Sequence, residues 1–256
     1  MDQQQIRRIK EVIIEAGKIA IRLKNQGLKV TIKPDGSPVT NADIEISHYI
    51  FTELSKITPL IPIICEERQL LDVSDNRAFW LIDPIDGTRS YIKNRDSYTI
   101  NIALIQGNEP TYGFVYLPVY DRLYFTDENK NLCILENDKI VEFNQHNHKG
   151  HVAVVSSNNF NSDTNSYLKN RDFAEVIVIP SSIKLCLVAE GAGDVYPKFG
   201  PTMEWDIAAG HALIKAAGGS VCDLENKEIK YAKEGFNNPN FIAANYRWLK
   251  RAKEKV

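Results

Sequence analysis

Residues 79–88 read FWLIDPIDGT: four apolar residues, then two aspartates, Asp83 and Asp86, three positions apart. A short apolar run bounded by turn residues reads as a buried strand. Like charges at the end of such a strand need compensation, because a charge leaving water for a core is costly unless paired. The preceding apolar run, PLIPIICEE, ends in the same way, on Glu66 and Glu67. Two buried strands that both end on carboxylates point to a cation between them. The intervening residues support this. Pro84 fixes its own φ and lacks an N–H, so a turn out of the strand is expected there. Gly87 permits backbone geometry closed to other residues. In such a turn Asp83, Asp86 and the Ile85 carbonyl oxygen can converge. Thr88 is then placed at the start of a helix, where N–H groups favour an anion. Hard oxygen ligands suit Mg²⁺ better than zinc or copper.

A D-x-x-D pair by itself is most often two solvated turn residues. Glu66, and Asp206 where the apolar helix of MEWDIAAG begins, strengthen the metal reading, although each also fits a helix cap or a surface charge. A D-x-D-x-T nucleophile of the haloacid-dehalogenase type needs its aspartates two positions apart, and here they are three apart.

Composition contributes mainly exclusions. A net charge of −2 and a pI near 6.2 provide no basic field for nucleic acid or an anionic membrane. An anionic ligand must therefore be held by local lysines and arginines or by a metal. The four cysteines, Cys65, Cys133, Cys186 and Cys222, form no CxxC pair and sit in apolar contexts, so neither a zinc site nor a disulfide framework is expected. The N-terminal segment MDQQQIRRIKEVIIEAG lacks a signal-peptide core, and no run reaches membrane-spanning length. The expectation is a soluble, cytoplasmic protein, with peripheral attachment at the inner face of a membrane as the alternative.

Ile6, Ile9, Ile13, Ala16, Ala20 and Leu23 recur at helical spacing, which predicts an amphipathic first helix ending near residues 25–27. KPDGSPVT reads as a loop, and a second helix is expected over residues 41–56. The runs PIIC, FWLI, TINIALI, YGFVYLPV, RLYFT and LCIL predict a mostly antiparallel sheet. The polar stretch from Asn144 to Gly150 divides the chain into an N-terminal α+β half, residues 1–146, and a C-terminal α/β half, residues 147–256. In the latter, VAVVSS, VIVIPS and DVYPK read as strands, alternating with helices around residues 163–170, in SIKLCLVAEG and in EWDIAAGHALIKAAGG. GSVCD is expected to be the last strand. This is a mixed αβ, layered fold. His211 reads as a packed helix residue, and His146, His148 and His151 as surface residues. Trp80, Trp205 and Trp248 read as packing.

Three motifs, DGSPVTNAD with ICEE, WLIDPIDGT, and EWDIAAGHALIKAAGG, together resemble the inositol monophosphatase superfamily of Mg²⁺-dependent, lithium-sensitive phosphatases. They span residues 35–219. DGSPVTNAD, TINIALI, SSIKLCLVAEG and VYPKFGPTMEWDIAAGHA are most similar to its CysQ branch, the 3′(2′),5′-bisphosphate nucleotidases. The resemblance implies an αβαβα sandwich and two or three Mg²⁺ ions held by Glu66, Asp83, the Ile85 carbonyl, Asp86 and Asp206. It makes Asp43 and Thr88 the residues that orient and deprotonate an attacking water, with Glu66 also catalytic through its metal. Gly87, Thr88 and Asp206 would also border the substrate. A homodimer is one assembly that the resemblance suggests.

The substrate expectation rests on fewer residues. Inositol-specific relatives carry a glutamate where this chain has Lys198, and a lysine suits a second phosphate instead. Ser181, Ser182 and Lys184 resemble the nucleotidase segment that lies along the nucleotide. Adenosine 3′,5′-bisphosphate (PAP), converted to AMP, is the expected substrate. The structural alternatives are a solvated strand-end charge for Lys198 and a helix-surface lysine for Lys184. Departures from the branch are Arg89-Ser90 after DGT, Pro180 in place of a glycine, and Ser156-Ser157-Asn158-Asn159 in place of a segment bearing a basic residue and a histidine. Two other readings are an inositol or sugar phosphate phosphatase with the same metals, and a non-catalytic nucleotide binder. A degenerate binder would be expected to lose at least one of the acids, Asp43 or Thr88, and none is lost.

Overall fold

The computed structural model describes residues 1–68, 72–73, 77–143, 149–156 and 161–254. The expected boundary at residues 146/147, and His146, His148 and Ser157 to Asn159, lie outside the described residues.

The chain opens with α1 (Gln3–Gln26). A capping box starts it, with Asp2 accepting from the Gln5 N–H, and Gly27 at φ 99° ends it. A hairpin of β1 (Val30–Ile32) and β2 (Pro38–Thr40) leads to α2 (Asn41–Ile57). Part of KPDGSPVT is thus strand. Pro38 is tolerated because the pair is a two-stranded ribbon made only of edges.

The large sheet has seven strands in the order of the chain: β3 (Ile63–Cys65), β4 (Ala78–Asp86), β5 (Thr99–Gln106), β6 (Glu109–Leu117), β7 (Arg122–Thr126), β8 (Leu132–Glu136) and β9 (Lys139–Val141). β3 pairs parallel to β4, and every later pair is antiparallel. Alternation along β4 sends Trp80 and Ile82 into the core beneath α1 and α2, and Phe79 and Leu81 into the core on the opposite face. A sheet covered on both faces explains why its strands read as continuous apolar runs. Pro84 does not turn the chain out of the strand. The register shifts between Asp83 and Asp86, and this irregularity accommodates the proline inside β4. A short helix, α3 (Thr88–Ile92), follows.

The smaller sheet has the order β11-β10-β12-β14-β13. Its strands are β10 (Val152–Val155), β11 (Glu175–Val178), β12 (Val195–Lys198), β13 (Ser220–Asp223) and β14 (Phe241–Ala244). GSVCD is therefore not the last strand. β14 inserts antiparallel between β12 and β13. The remaining helices are α4 (Ser162–Lys169), α5 (Ile183–Glu190), α6 (Glu204–Ala216) and α7 (Tyr246–Glu254).

Helices α5 and α6 lie between the sheets and complete the αβαβα layering. Their side chains share one core with residues of both sheets. α6 approaches β6 so closely that a Cβ on Gly113 would stand 2.2 Å from the Ala209 carbonyl oxygen, so only glycine fits. Polar contacts also cross the layers. Glu190, at the end of α5, accepts from Arg122 (2.7 Å) and the Tyr124 hydroxyl (3.0 Å) of β7.

Candidate active site

The parallel register of β3 and β4 places Cys65 opposite Ile82, so the next residues, Glu66 and Asp83, emerge side by side. The Glu66 N–H donates to the Ile82 carbonyl (3.1 Å), which fixes that exit. Asp206 arrives from the other side of the cleft as the third residue of α6, and its Oδ2 accepts from the Met203 N–H at 2.8 Å. Glu66, Asp83 and Asp206 each place a carboxylate oxygen within 4.8 Å of the other two. Asp86 lies beside this trio, and its negative charge raises the pKa of all three.

Asp43 comes from the first turn of α2. There it completes a capping box: its Oδ2 accepts from the Thr40 N–H (2.8 Å) and from the Thr40 hydroxyl. Its Oδ1 is 3.3 Å from the Thr88 hydroxyl, which is also 3.0 Å from the Ile85 carbonyl oxygen. That hydroxyl has one proton and two acceptors, so it can shift its donation between them.

Burial dominates the electrostatics. Asp83 is fully enclosed and held well above the usual carboxylate range, first by desolvation and then by Glu66, Asp86 and Asp206. Asp206 is pushed up to about 8 by burial and by Asp86. Asp43 and Glu66 are raised too, mainly by burial. Lys33, in the β1–β2 hairpin, places Nζ 2.9 Å from Glu66 and 2.6 Å from Glu67. Glu67 nevertheless rises to about 6 because of burial. Asp83 Oδ1 accepts from the Ile85 N–H at 3.1 Å, Asp206 uses Oδ2 and Asp86 uses Oδ2. The second oxygen of each has no hydrogen-bond donor among the described residues. A cluster of hard oxygens whose ionisation is opposed by burial and mutual repulsion fits a divalent cation of the Mg²⁺ kind, which would relieve both.

Lys184 and Lys198 are both buried at the side of this cluster. Burial lowers Lys184 to about 8 and also lowers Lys198, while Asp86 and Asp206 oppose the shift in both. Lys184 Nζ donates to the Ser181 carbonyl. Ser181 and Ser182 are buried, and Arg89 is exposed. Gly87, in the left-handed region at φ 93°, caps α3 and presents Thr88 to the cleft. His211 is buried within α6, with Nδ1 2.9 Å from the Tyr231 hydroxyl.

Two site residues had no signal in the sequence. Lys33 acts across a hairpin, and Asn101 of β5 faces Asp83 in register and donates to Ser182 Oγ at 2.9 Å. The pattern Thr40-x-x-Asp43 was a local signal for the capped start of α2.

The sequence profile of the inositol monophosphatase family matches residues 2–256, and the chain belongs to this family. It is 38% identical to the 3′(2′),5′-bisphosphate nucleotidase CysQ of Salmonella typhimurium, over 84% of this chain and 88% of that protein. It is 33% identical to the protein of the same name from Buchnera aphidicola, over 94% of both chains. The crystal structure of CysQ from Bacteroides thetaiotaomicron, a bacterial member of the family, superposes with a TM-score of 0.82 at 32% identity, covering 95% of this chain and 97% of that one. Among the described residues no helix is long and apolar enough to cross a membrane.

Proposed function

We propose that the protein is a Mg²⁺-dependent phosphomonoesterase that removes the 3′-phosphate of PAP, leaving AMP and inorganic phosphate. The observation that carries this reading is the juxtaposition of the acid trio with two buried lysines, Lys184 and Lys198. The acids suit a cation and the phosphate it would bind. The lysines add a second anion-binding locus, as a bisphosphate requires. The names of the relatives point to the same substrate class.

Glu66, Asp83, Asp86, Asp206 and the Ile85 carbonyl are the residues that would hold two or three Mg²⁺ ions. When bound, Mg²⁺ supplies Lewis acidity toward phosphoryl oxygens and makes water a better nucleophile at neutral pH. The chain itself moves the proton. Asp43, fixed through one oxygen by Thr40, offers the other to the Thr88 hydroxyl. Thr88 donates to Asp43 and thereby presents an oxygen lone pair that accepts a proton from the attacking water. The N–H groups of Gly87, the cap of α3, and of Thr88, its first residue, have no intrahelical partner and would be free to donate to an anion. Ser181 lines the same approach, and Lys184 and Lys198 hold the second phosphate.

The test is phosphate release from PAP, AMP, inositol 1-phosphate and fructose 1,6-bisphosphate at equal concentrations with Mg²⁺. PAP is expected to be the fastest. Preference for inositol 1-phosphate would overturn the role of Lys198 and place the chain with the inositol-specific enzymes.

A further inference from the structure

Ser182 occupies the N-cap position of α5, where a serine side chain normally accepts a hydrogen bond from the helix N–H groups. It makes no such cap, and its backbone is already in the right-handed helical region at φ −68° and ψ −3°. Ser181, just before it, is held at φ 59°, a conformation unfavourable for a residue with a Cβ. This arrangement brings the segment against the turn after β4, where a Cβ on Gly87 would lie 3.3 Å from Ser181 Cβ.

The side chain of Ser182 turns instead toward the acids. Its Oγ is 2.6 Å from Asp86 Oδ2, 2.9 Å from the Asp206 carbonyl oxygen and 2.9 Å from Asn101 Nδ2. A hydroxyl has one proton, and both oxygens of the first two contacts are acceptors, so Asn101 must be the donor in the third. The proton of Ser182 then goes to the nearer and charged acceptor, Asp86 Oδ2. Ser182 and Asn101 are 2% and 1% exposed, so water does not compete for these bonds.

We infer that Asn101 and Ser182 form a positioning relay for Asp86. The Asn101 amide orients the Ser182 hydroxyl, which engages one carboxylate oxygen of Asp86 and leaves the other for the cation. Ser182 is on this account a positioning residue and touches neither substrate nor reacting atoms. The inference rests on the metal-dependent reading above.

The experiment is a calorimetric titration of metal-free wild type, S182A, N101A and the double variant with MgCl₂ alone, each checked for folding by a thermal melt. Partners of metal ligands typically contribute ten- to a hundredfold to affinity. The expected result is about a tenfold loss for S182A, about threefold for N101A, and a double variant no weaker than S182A, because Asn101 acts only through Ser182. KM for PAP at saturating Mg²⁺ stays within twofold of wild type. Unchanged Mg²⁺ affinity in folded S182A, additive losses, or a raised KM with unchanged metal affinity would each overturn the relay. The last of these would make Ser182 a substrate contact. If S182A fails to fold, N101A decides alone, and unchanged affinity there overturns the relay. Failure of wild type to bind Mg²⁺ would overturn both the relay and the metal-dependent function.

Discussion

Lys33 Nζ bridges Glu66 and Glu67, at 2.9 and 2.6 Å, so a hairpin lysine neutralises one member of the acid trio. In the metal-free protein this ammonium offsets charge that burial would otherwise penalise. K33M is therefore expected to melt several degrees below wild type in EDTA and to gain more from added Mg²⁺. Calorimetric scans with and without Mg²⁺ provide the check. An equal Mg²⁺ gain in both proteins would contradict it.

The raised carboxyls fix a pH dependence. Asp206 moves from an ordinary value of 3.8 up to about 8. Between those values the folded protein holds a proton that the unfolded chain has released, so metal-free stability falls as pH rises from about 4 to about 8. Lys184, lowered from 10.5 to about 8, has the opposite effect above that window. There the unfolded chain holds the extra proton, so this lysine favours the fold between about 8 and about 10.5, while buried thiols such as Cys65, raised from 9.0 to about 11, oppose it. Urea midpoints in EDTA between pH 4 and pH 8 should trace the fall; a flat profile there would contradict it.

Metal binding inherits the same linkage. A cation that displaces the Asp206 proton binds roughly tenfold more tightly per pH unit below about 8. Mg²⁺ titrations at pH 6 and 7, in buffers of different ionisation enthalpy, should show this slope and the released proton. Affinity independent of pH would mean that the cluster is already ionised.

Removing one of the repelling charges should separate stability from activity. D83N and D206N are each expected to lose PAP hydrolysis by about a thousandfold. Their melting temperatures in EDTA should equal or exceed that of wild type, because a neutral amide relieves like-charge repulsion in the cluster. Activity assays paired with melts test both halves.

The turn after β4 gives a prediction about backbone geometry. Gly87 has φ 93°, and a Cβ there would lie 3.2 Å from the Ser97 carbonyl oxygen. G87A is expected to cost about 1–2 kcal/mol of stability in chemical denaturation. A neutral effect would mean that the turn relaxes easily.

Much of the site was legible in the sequence because its parts are local. Asp83, Asp86, Gly87 and Thr88 lie within six consecutive positions, and Asp43 and Asp206 each stand at the third position of a helix whose start is marked. What was not legible depends on contacts across the chain. Ser182 meets Asp86 across 96 positions, and Lys33 meets Glu66 across 33. No periodicity or turn signal encodes such pairs. The fold was read best where apolar periodicity was strong, as in α1 and the large sheet. β14 was missed because a four-residue strand preceded by FNNPN reads as loop, and its place between β12 and β13 depends on non-local pairing. Pro84 misled for a related reason. A proline signals a break in an isolated strand, whereas here a register shift against β5 absorbs it.

The most direct measurement is phosphate release from PAP by wild-type protein with Mg²⁺, after EDTA, and after Mg²⁺ is restored, with the nucleotide product identified. The account predicts turnover to AMP that EDTA abolishes and Mg²⁺ restores. Turnover that persists in EDTA, loss of the 5′-phosphate instead of the 3′-phosphate, or no release of phosphate under any of the three conditions would contradict it.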